Sequence, residues 1–503
     1  MKNEKQIFKS VLVFILIVCS SCEKDDLNYS ENQNDLKFKL ENFTTNSTFN
    51  NPILPGGPDP WIIQKEGIYY YTYTQGSKLV ILETKNPSDL ASSVRHEVWT
   101  PPTGTMYSKN LWAPELHYIN DKWYFYFAAD DGQNANHRMY VLENSSTSPT
   151  EGTWVFKGQV TDETNEWAID GTIFTHQNQL YTVWSGGNAG AAPQKLYIAK
   201  MSNPWTISSE KKIISEPEYS WEMNGAAINE GPQILLNPEG QIYLIYSGSG
   251  YWVNGYCLGQ LHLEKNSDPM VKENWIKKPE PVFSMKASSN AYGPGHNGFF
   301  KSPDGTEDWI IYHARLGADG GSRDPRIQRF TWNSDGSPNF GEPVSTDTEL
   351  KKPSGEPIRM VYLKDYWSIA GFSSEEVNNS RLAYRLIDNN YNSYWITRYS
   401  TNPTNYPDHW ITIDMGVKNK VDGFVIAQKE GDRKVKEFKI EISDDNEKWK
   451  SLGLFKLNDF NLLEQYLDLP STINCRYFKL IPTSGFDSKL QPGLSEIGAY
   501  LNI

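Results

Sequence analysis

Five segments of this chain repeat one pattern, and that repeat limits the possible fold more than any other feature. In each segment an acidic residue or a histidine on a small-residue turn precedes an apolar run, a second turn and a strand dense in Tyr, Trp and Ile. The anchor residues, 56, 55, 60 and 66 positions apart, are Asp59, Glu115, Asp170, Glu230 and His296. Recurrence at a nearly fixed period indicates a repeat architecture, and four-stranded blades of about 40 to 50 residues suit a propeller. The sequence therefore predicts an all-β chain with a five-bladed β-propeller, in which the anchors converge on one central pocket.

Charge and aromatic content narrow the class of partner. The 503 residues carry a net charge of −13, which argues against nucleic acid because phosphates demand a basic surface. The 17 Trp and 29 Tyr fill cores and sheet faces in an all-β protein, and flat rings also stack on the apolar faces of sugars. We expect a monomer that binds an oligosaccharide or polysaccharide and needs no organic cofactor.

The N-terminus has the features of an export signal. Lysines in the first nine residues precede the short apolar run Val11–Val18, which is too short to span a bilayer. The small residues before Cys22 resemble a bacterial lipobox, although Cys19 stands where Leu is usual. Residues 1–22 are therefore predicted to be a lipoprotein signal, with lipidated Cys22 as the only membrane contact. The acidic Glu23–Asp26 resembles a surface-export signal, which places the protein on the outside of the bacterial outer membrane. A plain signal peptide, leaving a periplasmic or secreted protein, is the alternative.

Composition divides the rest of the chain into three parts. Residues 23–50 are polar and rich in Asn, Ser and Thr, as expected of a flexible tether. The repeats occupy 51–350 and form the predicted catalytic propeller. Residues 360–503 consist of short alternating strands with turn signals between them, which predicts a β-sandwich or jelly roll.

The anchor residues carry the chemistry of glycoside hydrolysis. Cleavage needs one carboxylic acid to protonate the leaving oxygen and one carboxylate on the opposite face of the sugar. Asp59, Asp170 and Glu230 can supply both groups. The third carboxylate raises the pKa of the acid by like-charge repulsion. Taken singly, each acid could be an ordinary turn residue beside Gly or Pro. Recurrence of acids in phase in four of five blades favours a shared site.

Several motifs in order resemble glycoside hydrolase family forty-three over roughly residues 50 to 350. They are DPW at Asp59, WAPE at Glu115, IDGT at Asp170, NEGPQIL at Glu230, GPGHNGFF at His296 and the later YHAR. The resemblance implies an inverting mechanism with Asp59 as general base, Glu230 as general acid and Asp170 as the carboxylate that tunes and orients the acid.

The same resemblance suggests further pocket residues. His296 matches a central histidine that often supports a hydrated calcium ion, although a His in a Gly-rich turn is also a common structural residue. Arg326 matches an arginine of the fifth blade that points toward substrate in relatives, and a surface strand charge is its alternative. Trp112 is a candidate for the pocket wall or for blade packing. Glu115 is expected to be a polar pocket residue or a neighbour of one.

The last part of the chain contains the segments LIDNNYNSYWIT at 386–397, HWITIDMG at 409–416 and SEIGAY at 495–500. With these motifs, residues from about 360 to 503 resemble the discoidin, or coagulation-factor C-type, sandwich that serves bacterial glycosidases as a carbohydrate-binding module. The resemblance implies a structural calcium ion with oxygen ligands from Asp388, Ser393 and Glu496, chemistry that calcium accepts. An Asn/Asp turn without metal, and a domain that only packs against the propeller, are the alternatives.

The whole chain is thus predicted to be an exo-acting glycosidase on the side chains of plant polysaccharides. The YHAR and RIQRF segments resemble those of α-L-arabinofuranosidases, while β-xylosidase, exo-galactanase and galactofuranosidase stay open as activities. A non-catalytic, surface-bound glycan-binding protein is the alternative from a different class, and the presence of all three acids argues against it.

Overall fold

The computed structural model describes residues 43–403 and 405–503. The predicted signal peptide, Cys22 and most of the predicted tether lie outside the described residues. Within those two ranges, every helix is too short or too polar to cross a membrane. The elements are almost entirely β-strands, as predicted, joined by turns and by short 3-10 helices.

Five antiparallel sheets form the propeller, and in each the first strand in the chain is the innermost. Blade one contains β3 (Trp61–Lys65), β4 (Ile68–Thr72), β5 (Leu79–Thr84) and β6 (Val94–Trp99). Blade two contains β7 (Lys109–Ile119), β8 (Lys122–Asp130), β9 (Arg138–Asn144) and β10 (Val155–Val160). Blade three contains β11 (Trp167–His176), β12 (Gln179–Asn188), β13 (Ala191–Asn203), β14 (Thr206–Ile207) and β15 (Lys212–Ser215). Blade four contains β16 (Asn229–Leu236), β17 (Ile242–Gly248), β18 (Cys257–Leu263) and β19 (Trp275–Lys277). Blade five contains β20 (Tyr292–Lys301), β21 (Asp308–Arg315), β22 (Asp324–Trp332) and β23 (Pro338–Asn339).

The ring closes where blade five meets blade one. Apolar side chains of both blades share one core there, including Ile62 and Tyr71 from blade one and Ile311 from blade five. Asn51, which precedes blade one, donates from Nδ2 to the carbonyl of Ile327 and accepts from its N–H. After the short strand β1 (Phe43–Asn46), β2 (Thr48–Phe49) pairs with β24 (Leu350–Lys351) and so also joins the two ends of the repeat region.

The C-terminal strands form a β-sandwich, as predicted. Its elements are β25 (Arg359–Tyr362), β26 (Ser368–Phe372), β27 (Trp395–Ile396), β28 (Ile411–Gln428), β29 (Val435–Ser443), β30 (Lys450–Lys456), β31 (Glu464–Gly485) and β32 (Gly493–Asn502). Trp395 and Phe438 lie fully buried in its core. Trp395 is therefore a packing residue, whereas Tyr366 is 79% exposed.

The sandwich contacts blade one through polar groups. The main contact in the propeller is the 3-10 turn Leu90–Ser92, between β5 and β6. Asn458 donates from Nδ2 to the carbonyls of Ala91 and Ser93, at 3.0 and 2.7 Å, and the N–H of Tyr466 donates to Oγ of Ser92 at 2.7 Å. These bonds place the C-terminal domain directly against the propeller.

Candidate active site

The innermost strands bend at the anchor residues. Asp59, Asp170, Gly231 and His296 all have left-handed backbone conformations, with φ between 47 and 58°. In β11, β16 and β20 the strand pairing shifts at the same point, which marks a β-bulge. A bulge turns a side chain away from its normal face, and a left-handed non-glycine residue is uncommon enough to suggest a functional constraint. In blades three to five the anchor thus lies at a β-bulge that directs a polar side chain toward the axis.

One pocket of about 450 Å³ collects these side chains. Of the predicted site residues it is lined by Asp59, Asp170, Glu230, His296 and Trp112. Its wall also includes residues that the sequence did not single out: Thr74, Asn134, Trp167, Tyr251, Trp252 and Arg323.

Asp59 is surrounded by groups that favour its carboxylate form. Arg323 donates from Nη1 to Oδ1 at 2.7 Å, and the hydroxyl of Thr74 donates to Oδ2 at 2.7 Å. Nδ1 of His296 lies 3.6 Å from Oδ1. Burial alone would raise the pKa of Asp59, but Arg323 above all, with His296 nearby, holds that pKa well below its usual range. Asp59 is therefore ionised at any physiological pH.

Glu230 lies in the opposite electrostatic situation. Burial raises its pKa to about 7, the negative charge of Asp59 adds to the rise, and a hydrogen bond from Tyr256 opposes it. That bond joins the Tyr256 hydroxyl to Oε1 of Glu230 at 2.8 Å. Two carboxyl groups whose environments push their pKa values apart can act as base and acid in one reaction.

Asp170 is linked to the backbone beside Glu230. Its Oδ2 accepts a hydrogen bond of 3.0 Å from the N–H of Gly231. Burial raises the pKa of Asp170 to about 7, and the charges of Glu230 and Asp59 contribute to the rise. Asp170 can therefore influence both the position and the protonation of Glu230.

Arg326 differs from its predicted placement. Its side chain is 0% exposed and donates to the carbonyls of Ser289 and Asn290, outside the pocket. The pocket arginine is instead Arg323, three residues earlier. Arg326 lies within β22 and is buried by the neighbouring loop, whereas Arg323 precedes that strand and reaches back to the axis. The sequence signal that points to Arg323 is its position immediately before a propeller strand.

Glu115 does not line the pocket. It is buried, accepts a hydrogen bond from the Gln233 side chain at Oε1, and lies 2.8 Å from Nε2 of His117 at Oε2. The bond to Gln233 connects the innermost strands of blades two and four. Glu115 thus links two blades, which fits the expected role of a neighbour to the site.

Aromatic side chains form two sides of the pocket. Trp112 stacks on the ring of His137, with centroids 3.9 Å apart, and packs beside Trp167. On another side, Tyr251 and Trp252 belong to the loop between β17 and β18, and Trp252 is 51% exposed. The indole of Trp252 lies so close to Gly250 that an added Cβ there would come within 2.6 Å of the ring. Exposed aromatic faces at the mouth of a polar pocket suit a sugar ligand.

The residues predicted to bind calcium in the sandwich do lie together. Asp388 and Glu496 both accept from the N–H of Asn390, and Ser393 donates from its hydroxyl to Asp388. The ammonium of Lys364 forms an ion pair with Glu496. The oxygen donors suit calcium, but Lys364 would have to leave Glu496 to admit it. Calcium here, and at His296 in the propeller, stays a prediction.

A five-bladed propeller with three buried carboxyl groups on its axis has the architecture of a glycoside hydrolase. The sequence model of Glycosyl hydrolases family 43 matches residues 49–338, and the chain belongs to that family. A second model, the F5/8 type C domain, matches residues 370–492 in the sandwich.

Several proteins that are similar to this chain are named arabinofuranosidases. An extracellular exo-α-(1→5)-L-arabinofuranosidase of Streptomyces avermitilis is 37% identical over 310 residues, which are 59% of this chain and 64% of that protein. A protein of the same name from Streptomyces chartreusis is 38% identical over 273 residues, 53% of this chain and 82% of the relative. The crystal structure of an α-L-arabinofuranosidase from Lactobacillus brevis is 34% identical, with a TM-score of 0.57, over 60% of this chain and 98% of that one. The chain thus spans slightly under two thirds of the Streptomyces avermitilis protein.

Proposed function

We propose that this protein is an inverting, exo-acting α-L-arabinofuranosidase that removes arabinofuranosyl units from plant polysaccharides. The observation that carries the proposal is the contrast, within one pocket, between Asp59, which is bonded to Arg323, and Glu230, which is buried and bonded to Tyr256. Asp59 is held ionised, whereas Glu230 keeps a proton up to about pH 7. A sugar bound between them meets a base on one side and an acid on the other.

The reaction uses these two groups in a single displacement. The Asp59 carboxylate removes a proton from water as the water oxygen bonds to the anomeric carbon. The bond from that carbon to the leaving oxygen breaks, and Glu230 donates its proton to that oxygen. Asp59 ends protonated and Glu230 ionised, so one proton passes back through solvent to restore the enzyme. Asp170 acts on the acid through its bond to Gly231 and its charge.

The sugar is argued from the relatives. Two relatives, 37% and 38% identical to this chain, are named extracellular exo-α-(1→5)-L-arabinofuranosidases. A relative with a solved structure, 34% identical, is named an α-L-arabinofuranosidase. The pocket's aromatic walls and its buried acids suit one terminal sugar held with its glycosidic oxygen near Glu230.

Activity and roles are tested together with 4-nitrophenyl α-L-arabinofuranoside and linear arabino-oligosaccharides. The wild type should release arabinose from both substrates. Glu230→Gln should lose about 10² to 10⁴-fold on the oligosaccharide and much less on a dinitrophenyl substrate, whose leaving group needs no proton. Asp59→Asn should be inactive on both. Glu143→Gln, a carboxylate bonded to Tyr124 in blade two, is the matched control and should retain activity. Wild-type activity on xylosides or galactosides alone would reject the arabinofuranosidase assignment.

We also propose that the protein acts outside the cell, anchored through a lipid on Cys22. The support is the lipobox-like sequence before Cys22, together with relatives named as extracellular. Cys22→Ser should release active enzyme into the medium and abolish incorporation of labelled fatty acid. Failure of the wild type to incorporate fatty acid would favour simple secretion.

For the sandwich we propose calcium binding by Asp388, Ser393 and Glu496, and weak binding of polysaccharide. The support is the convergence of both carboxylates on Asn390. Calcium should raise the melting temperature of the wild type, and Asp388→Asn should remove that increase. Asp445→Asn, which alters a carboxylate in a distant turn, should keep it. An unchanged wild-type melting temperature would argue against the site.

A further inference from the structure

Two aromatic residues outside the acid–base set contact the proposed acid and the proposed base. The Tyr256 hydroxyl donates to Oε1 of Glu230 at 2.8 Å. Nδ1 of His313 accepts from the backbone N–H of Asp59 at 3.1 Å. The two rings are nearly parallel, at 6°, with centroids 5.8 Å apart. One stacked pair therefore connects the acid of blade four to the base of blade one.

Packing fixes the ring of Tyr256. The residue is fully buried, and a Cβ added at Gly295 would lie 2.2 Å from its Cε1 atom. Only glycine fits at position 295 without displacing the ring, because a real Cβ never approaches an atom that closely. The ring is thus confined between Gly295 on blade five and the imidazole of His313.

A hydrogen bond fixes the direction of the Tyr256 hydroxyl. Burial raises the pKa of Tyr256 well above its ordinary value, and the negative charge of Glu230 adds to the rise, so the phenol keeps its hydrogen. Tyr256 in turn donates to Glu230. Because Oε1 already accepts that proton, the transferable proton of the acid belongs on Oε2.

His313 holds the base in a similar way. Burial and the neighbouring Arg323 charge keep the pKa of His313 well below its usual value, so the ring is neutral. A neutral ring that accepts at Nδ1 carries its hydrogen on Nε2. Asp59 has a left-handed backbone, with φ of 58°, and the bond to His313 supports that conformation.

We propose that Tyr256 and His313 are positioning residues: Tyr256 directs the acid proton of Glu230 to Oε2, and the stacked pair sets the acid at a fixed distance from Asp59. The proposal rests on the proposed function. It assigns no bond-making step to either residue. Neither ring transfers a proton, because Tyr256 remains a donor and His313 remains an acceptor throughout the reaction.

Tyr256→Phe is the decisive variant, because it removes one oxygen and keeps the ring. Loss of a donor to the ionised carboxylate should raise the pKa of Glu230, so the basic limb of kcat/KM should move up by roughly one pH unit. The rate on arabino-oligosaccharides should fall about tenfold or more, while the rate on a dinitrophenyl arabinofuranoside falls less. Tyr124→Phe removes the same kind of bond, from Tyr124 to Glu143, and should change neither quantity.

Two further variants keep the proposal open to refutation. Gly295→Ala should shift the basic limb in the same direction, because the added Cβ would displace the Tyr256 ring from Glu230, and it serves if Tyr256→Phe fails to fold. His313→Leu should lower the rate on both kinds of leaving group equally, and His313→Asn, which retains an acceptor near Nδ1, should recover part of the loss. A folded Tyr256→Phe or Gly295→Ala enzyme with an unmoved pH profile and unchanged leaving-group dependence would overturn the proposal. A wild type without arabinofuranosidase activity would reject the proposed function instead.

Discussion

Arg323 donates a hydrogen bond of 2.7 Å to Asp59, which lies 264 residues earlier in the sequence. The same guanidinium lies 4.5 Å from the ring centroid of Tyr251 at the pocket mouth. A cation held between a buried carboxylate and an aromatic face keeps that carboxylate ionised inside an apolar ring of blades. The electrostatics of the base therefore depend on a residue that belongs to blade five.

Arg323→Gln should raise the pKa of Asp59, because the largest interaction that lowers it is removed. A base must be ionised to accept a proton, so the acidic limb of the pH profile of kcat/KM should move to higher pH. The shift should be roughly one pH unit or more, because a buried cation is lost. Arg329→Gln, at an exposed ion pair with Glu307, should leave the limb in place. An acidic limb that stays fixed in Arg323→Gln would show that Arg323 does not set the protonation of the base.

Asp170→Asn should narrow the pH range of activity by lowering its upper limit. With the pKa values of Asp170 and Glu230 each at about 7, the wild-type rate should decline as pH rises through that region. Removing the negative charge of Asp170 lowers the pKa of Glu230, so the acid loses its proton at lower pH. The measurement is kcat/KM against pH on one substrate. Normal rate with an unchanged profile would make Asp170 a structural bulge residue.

Trp252→Ala should weaken binding of the leaving sugar. The exposed indole lies at the pocket mouth over Gly250, and loss of a stacking contact of about 1 to 1.5 kcal/mol corresponds to roughly tenfold in kcat/KM on an oligosaccharide. Arabinofuranosyl fluoride has no leaving sugar, so its hydrolysis should be unaffected. Ile276→Ala removes an apolar side chain of similar exposure from an outer strand of blade four and should change neither substrate. Equal losses on both substrates would place Trp252 against the reacting sugar instead.

Arg359→Met should destabilise the junction of the two domains. Arg359 is 1% exposed and lies 3.2 Å from both Asp89 of the propeller and Asp468 of the sandwich. Removing one partner of a buried ion pair costs about 3 to 5 kcal/mol, because the other charge stays buried. Thermal unfolding should occur at a clearly lower temperature than in the wild type. Lys418→Met, at an exposed pair with Asp444, should change stability by no more than about 1 kcal/mol. Equal stability of the two variants would mean that the junction contributes little.

The repeat in the sequence is enough to predict most of the fold. Strand pairs dense in Tyr and Trp at a regular period predict blades, and the phase of Asp59, Asp170 and Glu230 predicts their convergence. Phase is sufficient there because the symmetry of a propeller places equivalent positions around one axis. The left-handed backbone at Asp59, Asp170 and His296 follows the same symmetry.

The sequence did not reveal the groups that lie between repeats. Arg323, Tyr251 and Trp252 come from loops whose course depends on neighbouring blades, so the period says nothing about them. The motif match points to Arg326, yet burial by the loop at Ser289 removes Arg326 from the pocket. The direct docking of the sandwich on Leu90–Ser92 also depends on tertiary contacts between distant segments.

The most direct test of the account is the configuration of the first product. Proton NMR spectra should be recorded within seconds to minutes of adding wild-type enzyme to an α-L-arabinofuranoside, before the sugar equilibrates. A base that activates water opposite the leaving group predicts β-L-arabinofuranose as the initial product, with the α-anomer appearing later by mutarotation. Initial release of α-L-arabinofuranose would mean retention through a covalent intermediate, and would contradict the roles assigned to Asp59 and Glu230.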